Sequence, residues 1–179
     1  EILKEKQKTK QKKKGLRALW ITPLRALSVE ISQAATRFCQ DIDPTITVGI
    51  RTGDTSQKER AAQKRNMPDL LITTPESLQL LISSKKYDHL FQNLNAVVID
   101  EWHELLGTKR GVQMELALSR LKTVSKNLKI WGISATIGNL NQAKDVLLGP
   151  AGKSNENSVL IKAKLKKKIQ VESIIPKKM

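Results

Sequence analysis

The alternation of segments along the chain predicts an α/β fold, a doubly wound parallel sheet with helices on both faces. Five short apolar runs rich in Ile, Leu and Val alternate with stretches whose apolar residues recur at helical spacing. The runs lack the apolar–polar alternation of a half-exposed strand, so they read as strands buried on both sides, as in parallel sheets. Each run also ends in a polar or charged motif. In a right-handed parallel sheet all those ends emerge at one edge, where open α/β folds bind their ligands.

Residues 1–14 alternate Lys with Gln and Glu and read as a basic polar extension or loop, with Ile2 and Leu3 finishing a helix begun upstream. The first strand is 16–21, ending in Thr22-Pro23. Leu24, Leu27, Ile31, Ala34, Ala35 and Phe38 then mark the inner side of a helix, with Pro23 in its first turn. Residues 46–50 form the second strand, followed by Arg51-Thr52-Gly53-Asp54-Thr55. Ser56 and Glu59 have capping-box spacing and open a short polar helix to about Asn66. Residues 69–73 are the third strand; Thr74 caps the next helix, Pro75 takes its first position, and Leu78, Leu80, Leu81 and Ile82 form its buried side. The fourth strand is 96–99, with a helix from about Val112 that carries Leu116, Leu118, Leu121 and Val124. The fifth, 129–133, delivers Ser134-Ala135-Thr136, and Asn139 with Gln142 opens a helix closing at Gly149-Pro150. The α/β unit thus spans 15–158, and 159–179 reads as an edge strand at 159–161, a lysine run and a second extended piece at 169–175.

At 179 residues the chain suits one domain with one core. No run is long enough for a membrane span and no signal-peptide core is present, which points to a soluble, cytoplasmic protein with no membrane partner. The single Cys39 agrees with a reducing compartment, and with His89 and His103 as the only histidines there is no His/Cys metal cluster. The net charge of +15 permits a polyanionic partner, but residues 1–14 carry +5 and 162–179 carry +6, leaving +4 between them. Lysine-rich ends are more often solvated than used for recognition.

The most informative stretch runs from Ala96 to Leu105, where the apolar residues of the fourth strand pass directly into Asp100-Glu101-Trp102-His103. Adjacent carboxylates at the carboxyl end of a buried strand suit nucleotide hydrolysis: one holds Mg²⁺ through water, the other orients or deprotonates the attacking water. Helix capping accounts for Thr22 and Thr74, and dipole compensation for Glu76, but neither explains Arg25 or the acid pair. Trp102 and Trp131 read as packing residues, and Lys109-Arg110-Gly111 either touches nucleic acid or, slightly favoured, is a solvated turn.

Thr22-Pro23-Leu24-Arg25-Ala26-Leu27, Thr52-Gly53-Asp54-Thr55, Thr73-Thr74-Pro75-Glu76-Ser77-Leu78, Asp100-Glu101-Trp102-His103 and Ser134-Ala135-Thr136, in this order, resemble the first RecA-like domain of a superfamily 2 DExH-box helicase. The extended block from Asp100 to Gly111 is most similar to the large helicase-related (Lhr-like) group, including the ligase-associated DNA helicases of bacteria. The resemblance covers roughly Leu16 to Pro176. It implies a P-loop NTPase fold, ATP and Mg²⁺ as cofactors, and ATP-driven unwinding of nucleic acid, most plausibly DNA in repair. It implies Asp100 on the metal through water, Glu101 on the attacking water, and His103 linking that site to the coupling residues Ser134 and Thr136. Thr22, Pro23, Arg25, Gly53, Asp54, Thr55, Thr74 and Pro75 are then expected to meet the backbone of a single-stranded or tailed DNA, through groups that grip phosphate without reading bases. A second RecA-like domain, a DNA ligase and a nuclease are the implied partners.

One departure stands out. The chain has no phosphate-binding loop; Gly149-Pro150-Ala151-Gly152-Lys153-Ser154 lacks the first glycine, which falls at Leu147, and follows a helix rather than a strand. The expectation is therefore a piece of a longer motor, inactive by itself and with an exposed apolar flank. The alternatives are a non-catalytic nucleic-acid-binding module of the same fold, an RNA helicase of the same superfamily and, least favoured, an unrelated α/β metalloenzyme.

Overall fold

The computed structural model describes residues 15–85, 87–135, 137–149 and 158–163. Five strands, β1 (Ala18–Ile21), β2 (Val48–Arg51), β3 (Leu70–Thr73), β4 (Ala96–Ile99) and β5 (Lys129–Gly132), form one parallel sheet in the order β2-β3-β1-β4-β5. Between and after them lie α1 (Arg25–Ile42), α2 (Gln57–Arg65), α3 (Pro75–Ile82), α4 (Tyr87–Phe91), α5 (Trp102–Leu105), α6 (Lys109–Val124) and α7 (Leu140–Leu148).

The strand order explains how the helices are shared between the two faces. From β1 the chain moves one way to β2; from β2 onward every step runs the other way. Right-handed crossovers then place α1 on one face and the later helices on the opposite one. The packing agrees. Leu19, Ile21, Leu71, Val97 and Ile99, alternate residues of the strands, join Leu78, Leu81, Phe91, Met114, Leu118, Leu121 and Leu147 in the main core. No residue of α1 belongs to that core; α1 lies on β2 and β3 instead. The face shared by Trp20, Val98 and Trp131, which are in register, is therefore open over β4 and β5, and Trp131 is 62% exposed.

Several sequence expectations need correction. Pro23 is not in the first turn of α1, which has Leu24 as N-cap with no side-chain cap bond. Leu24 and Phe38 are exposed. The 18 residues of α1 extend ~27 Å, whereas a four-residue strand spans only ~13 Å, so the helix is too long for the strands to cover. Leu80 and Leu116 are exposed because each lies two residues, about 200° around its helix, from the buried Leu78 and Met114. Trp131 does not pack. The short helices α4 and α5 escaped the periodicity argument because one turn has no period to detect. The helix expected from about Val112 begins at Lys109, with Thr108 capping it through Gly111 N. The Ser56–Glu59 capping box, Pro75 at the start of α3 and the Asn139 cap of α7 are as read.

Residues 158–163 belong to no strand, so no edge strand forms at Val159 to Ile161. The extension at 1–14, most of the pseudo-loop after Gly149 and the piece at 169–175 lie outside the described residues. Among the described residues no helix is long and apolar enough to cross a membrane.

Candidate nucleotide and nucleic-acid site

The carboxyl ends of the strands are tied to one another by backbone bonds that continue the ladders: Thr22 N to Thr73 O at 3.0 Å, Asp100 N to Ile21 O at 2.8 Å, Ile133 N to Ile99 O at 2.8 Å, and Trp102 N to Ile133 O at 2.9 Å. The motifs following β3, β1, β4 and β5 consequently start from one rigid edge. Between β1 and β4 the chain leaves in opposite directions, the switch point at which such sheets open a crevice.

Asp100 sits at that point. Two residues beyond Val98, it projects toward the open face, where the indole N–H of Trp20 donates to its Oδ2 at 3.3 Å; Oδ1 accepts the Glu101 amide at 3.0 Å. Glu101 is the only non-glycine residue with positive φ among those described, at φ 47° and ψ 45°. A left-handed conformation costs an ordinary side chain of order 1–3 kcal/mol and survives only where its surroundings enforce it. Here it lets the chain leave β4 and enter α5 within one residue, which brings the Glu101 carboxylate beside the acid-loop histidine.

His103 is gripped from several sides. Its Nδ1 lies 3.1 Å from Ser134 Oγ and 3.3 Å from Glu101 Oε2, and accepts the Ala135 amide N–H at 3.3 Å. Its Nε2 lies 3.3 Å from Glu104 Oε1. The Ala135 amide is served by the tautomer with its proton on Nε2, facing Glu104, and the Glu101 carboxylate by a proton on Nδ1, so the ring's protonation sets which of these neighbours it binds. The structure thus brings together Asp100, Glu101, His103 and Ser134; Thr136 lies outside the described residues. Trp102 is buried and donates its indole N–H to Ala143 O at 3.1 Å, pinning α5 to α7.

The residues expected to meet nucleic acid divide in two. Thr22, Pro23, Thr74 and Pro75 are buried, so their side chains build the turns rather than face solvent; the Thr74 hydroxyl caps α3 at Ser77. Arg25, Gly53 and Asp54 are exposed and Thr55 is half-buried. Arg25 Nη1 pairs with Asp54 Oδ1 at 3.0 Å, and its guanidinium lies so close over Gly53 that a Cβ there would sit 2.7 Å from Nη2. A side chain at 53 would displace the exposed guanidinium from this position.

Four residues in this region escaped sequence reasoning. Trp20 looked like one more apolar strand residue, and Glu104 was given no role. Arg60, on a polar helix, donates to Thr55 O at 2.8 Å, Thr52 O at 2.9 Å and Gly53 O at 3.0 Å, closing the 52–55 turn. Arg110 is no solvated turn residue: it binds Glu76 Oε1 at 2.7 Å and Pro23 O at 2.8 Å. Burial pushes the Glu76 carboxyl up, but its own amide, Arg110 and the Thr74 hydroxyl outweigh this and hold it below the usual carboxylate range. Burial, and then the neighbouring Arg60, lower Arg51 at the end of β2, which still stays charged.

Comparisons with known proteins bear on the family and the fold. The family model described as DEAD/DEAH box helicase matches residues 2–144. The Lhr helicase/uracil glycosylase of Escherichia coli is 37% identical over 137 residues, 70% of this chain and 9% of that protein. The ATP-dependent helicase Lhr-Core of Methanocaldococcus jannaschii is 32% identical over 169 residues, 88% of this chain and 19% of that protein. The chain therefore spans less than a fifth of the length of either relative. Among solved structures, the Mycobacterium smegmatis helicase Lhr bound to ssDNA and AMP-PNP superposes with a TM-score of 0.70 and 34% identity, covering 79% of this chain and 20% of that one.

Proposed function

The chain belongs to the DEAD/DEAH box helicase family, and on that premise we propose that it is the RecA-like motor domain of an ATP-dependent DNA helicase of the Lhr type. Hydrolysis and unwinding are assigned to the full-length protein. The observation that carries the reading is the joining, at one sheet edge, of the Asp100–Glu101 pair to Ser134 through His103, beside an exposed arginine turn.

The donor set fits a magnesium ion of a particular kind. Among the described residues no group of three or more His, Cys, Asp or Glu side chains forms a metal cage. Asp100 supplies a single carboxylate whose oxygens each accept one protein hydrogen bond and keep a further acceptor position. That suits Mg²⁺, which keeps most of its water and takes phosphate oxygens as well. Bound there with ATP, the ion would supply charge neutralisation at the phosphates.

The protein's own part follows from its geometry. Asp100, fixed by Trp20 and by the Glu101 amide, presents its carboxylate to the crevice without rotamer freedom. Glu101, turned out of the strand by its left-handed backbone, orients the attacking water and takes its proton. His103, whose Nδ1 lies within reach of Glu101, Ser134 and the Ala135 amide, stands between the base and the loop after β5, so that a shift of the loop moves the surroundings of the base. Arg25 and the 53–55 turn bind strand phosphates; the Arg25–Asp54 pair is then exchanged for Arg25–phosphate.

DNA is chosen over RNA because the M. smegmatis relative is described bound to ssDNA. A second RecA-like domain completing the ATP site, a cytoplasmic role in DNA repair, and a ligase and nuclease as partners belong to the same proposal. The test is ATP turnover by the full-length protein with and without single-stranded DNA. Stimulated turnover is expected; a protein that binds the strand but never turns over ATP is instead a binding module.

A further inference from the structure

Arg110 joins the two loops beside it to the segment descending from the acid pair. It is the second residue of α6, and its Nε donates to Glu76 Oε1 at 2.7 Å while Nη2 reaches Glu76 Oε2 at 3.4 Å and Pro23 O at 2.8 Å. Glu76 stands in the first turn of α3, after β3; Pro23 lies in the turn after β1; Arg110 itself follows β4. These three strands are neighbours in the sheet. One side chain thus spans three adjacent strand ends.

Two further observations make this tie more than a surface ion pair. The start of α1 has no side-chain cap of its own: Leu24 is its N-cap and Arg25 its first residue. The Arg110–Pro23 bond therefore braces the turn from which Arg25 projects, beside the ladder bond from Thr22 N to Thr73 O and the long bond from Leu24 N to the Thr22 hydroxyl. Arg110 is also anchored from behind, because a Cβ on the next residue, Gly111, would lie 2.1 Å from Leu105 O. The backbone there packs against α5, which starts directly after the acid pair.

The donor inventory decides what Arg110 does. A guanidinium has five N–H groups. Nε and both hydrogens of Nη2 are directed at Glu76 and Pro23, leaving only Nη1 for an outside ligand. The fork that would grip a phosphate bidentately is already occupied.

We propose that Arg110 is a positioning residue for strand binding, setting the Thr22–Arg25 turn and the start of α3 against the acid-pair segment, and is not itself a phosphate ligand. This rests on the strand-binding reading above.

The test is single-stranded DNA affinity of the full-length protein as a function of salt, for wild type, Arg110→Lys, Arg110→Ala, Glu76→Ala and the Arg110→Ala/Glu76→Ala pair, each checked as folded by circular dichroism. Arg110→Lys keeps the charge but cannot span both partners, so it is expected to weaken binding by about five- to tenfold, as Arg110→Ala does. The slope of log affinity against log salt stays that of wild type, since no phosphate contact is lost. The double variant binds no more weakly than Arg110→Ala alone, the signature of two residues acting as one unit. Wild-type affinity in Arg110→Lys, a slope reduced by about one in Arg110→Ala, or independent effects that multiply in the double variant each overturn the role of Arg110. A wild-type protein that binds no single-stranded DNA overturns the strand-binding reading, and the proposal with it.

Discussion

The acid pair after β4 is presented by main chain, whereas the turn after β2 is held by a side chain from the helix that follows it. Asp100 continues the sheet ladder through Ile21 O, and Glu101 is aimed by its own φ and ψ. The 52–55 turn makes its own Thr52–Thr55 bonds but is closed by the Arg60 guanidinium on three of its carbonyls. The difference suits the two tasks. Groups that act on a developing charge need a fixed position, and a strand edge supplies one. Groups that follow a flexible phosphate chain can sit on a turn whose shape one arginine maintains.

The largest effect that probes this contrast is on turnover. Asp100→Asn in the full-length protein is expected to lower ATP hydrolysis at least about 100-fold with little change in melting temperature, because the ladder that presents the residue is untouched. A large loss of stability would show that the side chain, and not the main chain, holds the segment. Next is Gly111→Ala, whose Cβ would meet Leu105 O at 2.1 Å. It should cost about 1–3 kcal/mol, seen as a thermal melt lowered by several degrees; a melt like wild type would mean that the α5–α6 junction yields.

Removing the side-chain holder gives a smaller and more selective effect. Arg60→Met keeps the apolar stem and loses the three carbonyl bonds. Single-stranded DNA affinity should fall about fivefold, measured by fluorescence anisotropy, with an unchanged salt slope if Arg60 only shapes the turn.

The smallest effect tests the helix that carries Arg60. Ser56→Ala removes the capping box and should lower the melt by about a degree or two. The Ser56 hydroxyl and then its amide hold the Glu59 carboxyl below its usual range. A carboxyl depressed in the folded state contributes stability above its unfolded value of about 4.3 and loses it as pH falls through the folded value. The difference between Ser56→Ala and wild type should accordingly be full near neutral pH and shrink in acid to what the bond from Glu59 N–H to the Ser56 hydroxyl contributes. A difference that does not shrink in acid contradicts the part assigned to the Glu59 carboxylate.

The same contrast governs what could be read from sequence. The strands and longer helices were visible because burial imposes a period, and the acid pair because apolar residues run straight into two charges. The turn around Thr74 was also legible, since cap chemistry is local, whereas Thr22 is not the cap it was read as, because α1 begins after Leu24 with no side-chain cap bond. Arg110 was misread because its partners lie 34 and 87 residues away; Arg60, whose partners lie within eight residues, was missed because nothing in a lysine- and arginine-rich chain marks the guanidinium that turns inward. Trp20 was hidden for a related reason: its indole N–H reaches Asp100 across strands 80 residues apart in sequence. The exposure of Trp131, Leu80 and Leu116 depended on strand order and helix phase, which hydrophobicity alone does not report.

The most direct measurement follows ATP turnover and single-stranded DNA affinity side by side in the full-length protein and its Glu101→Gln variant. The account predicts that turnover is abolished while affinity for the strand is retained, because the base and the strand-binding turns are presented by separate means. Turnover that survives the substitution, or a folded variant in which affinity collapses together with turnover, would contradict it.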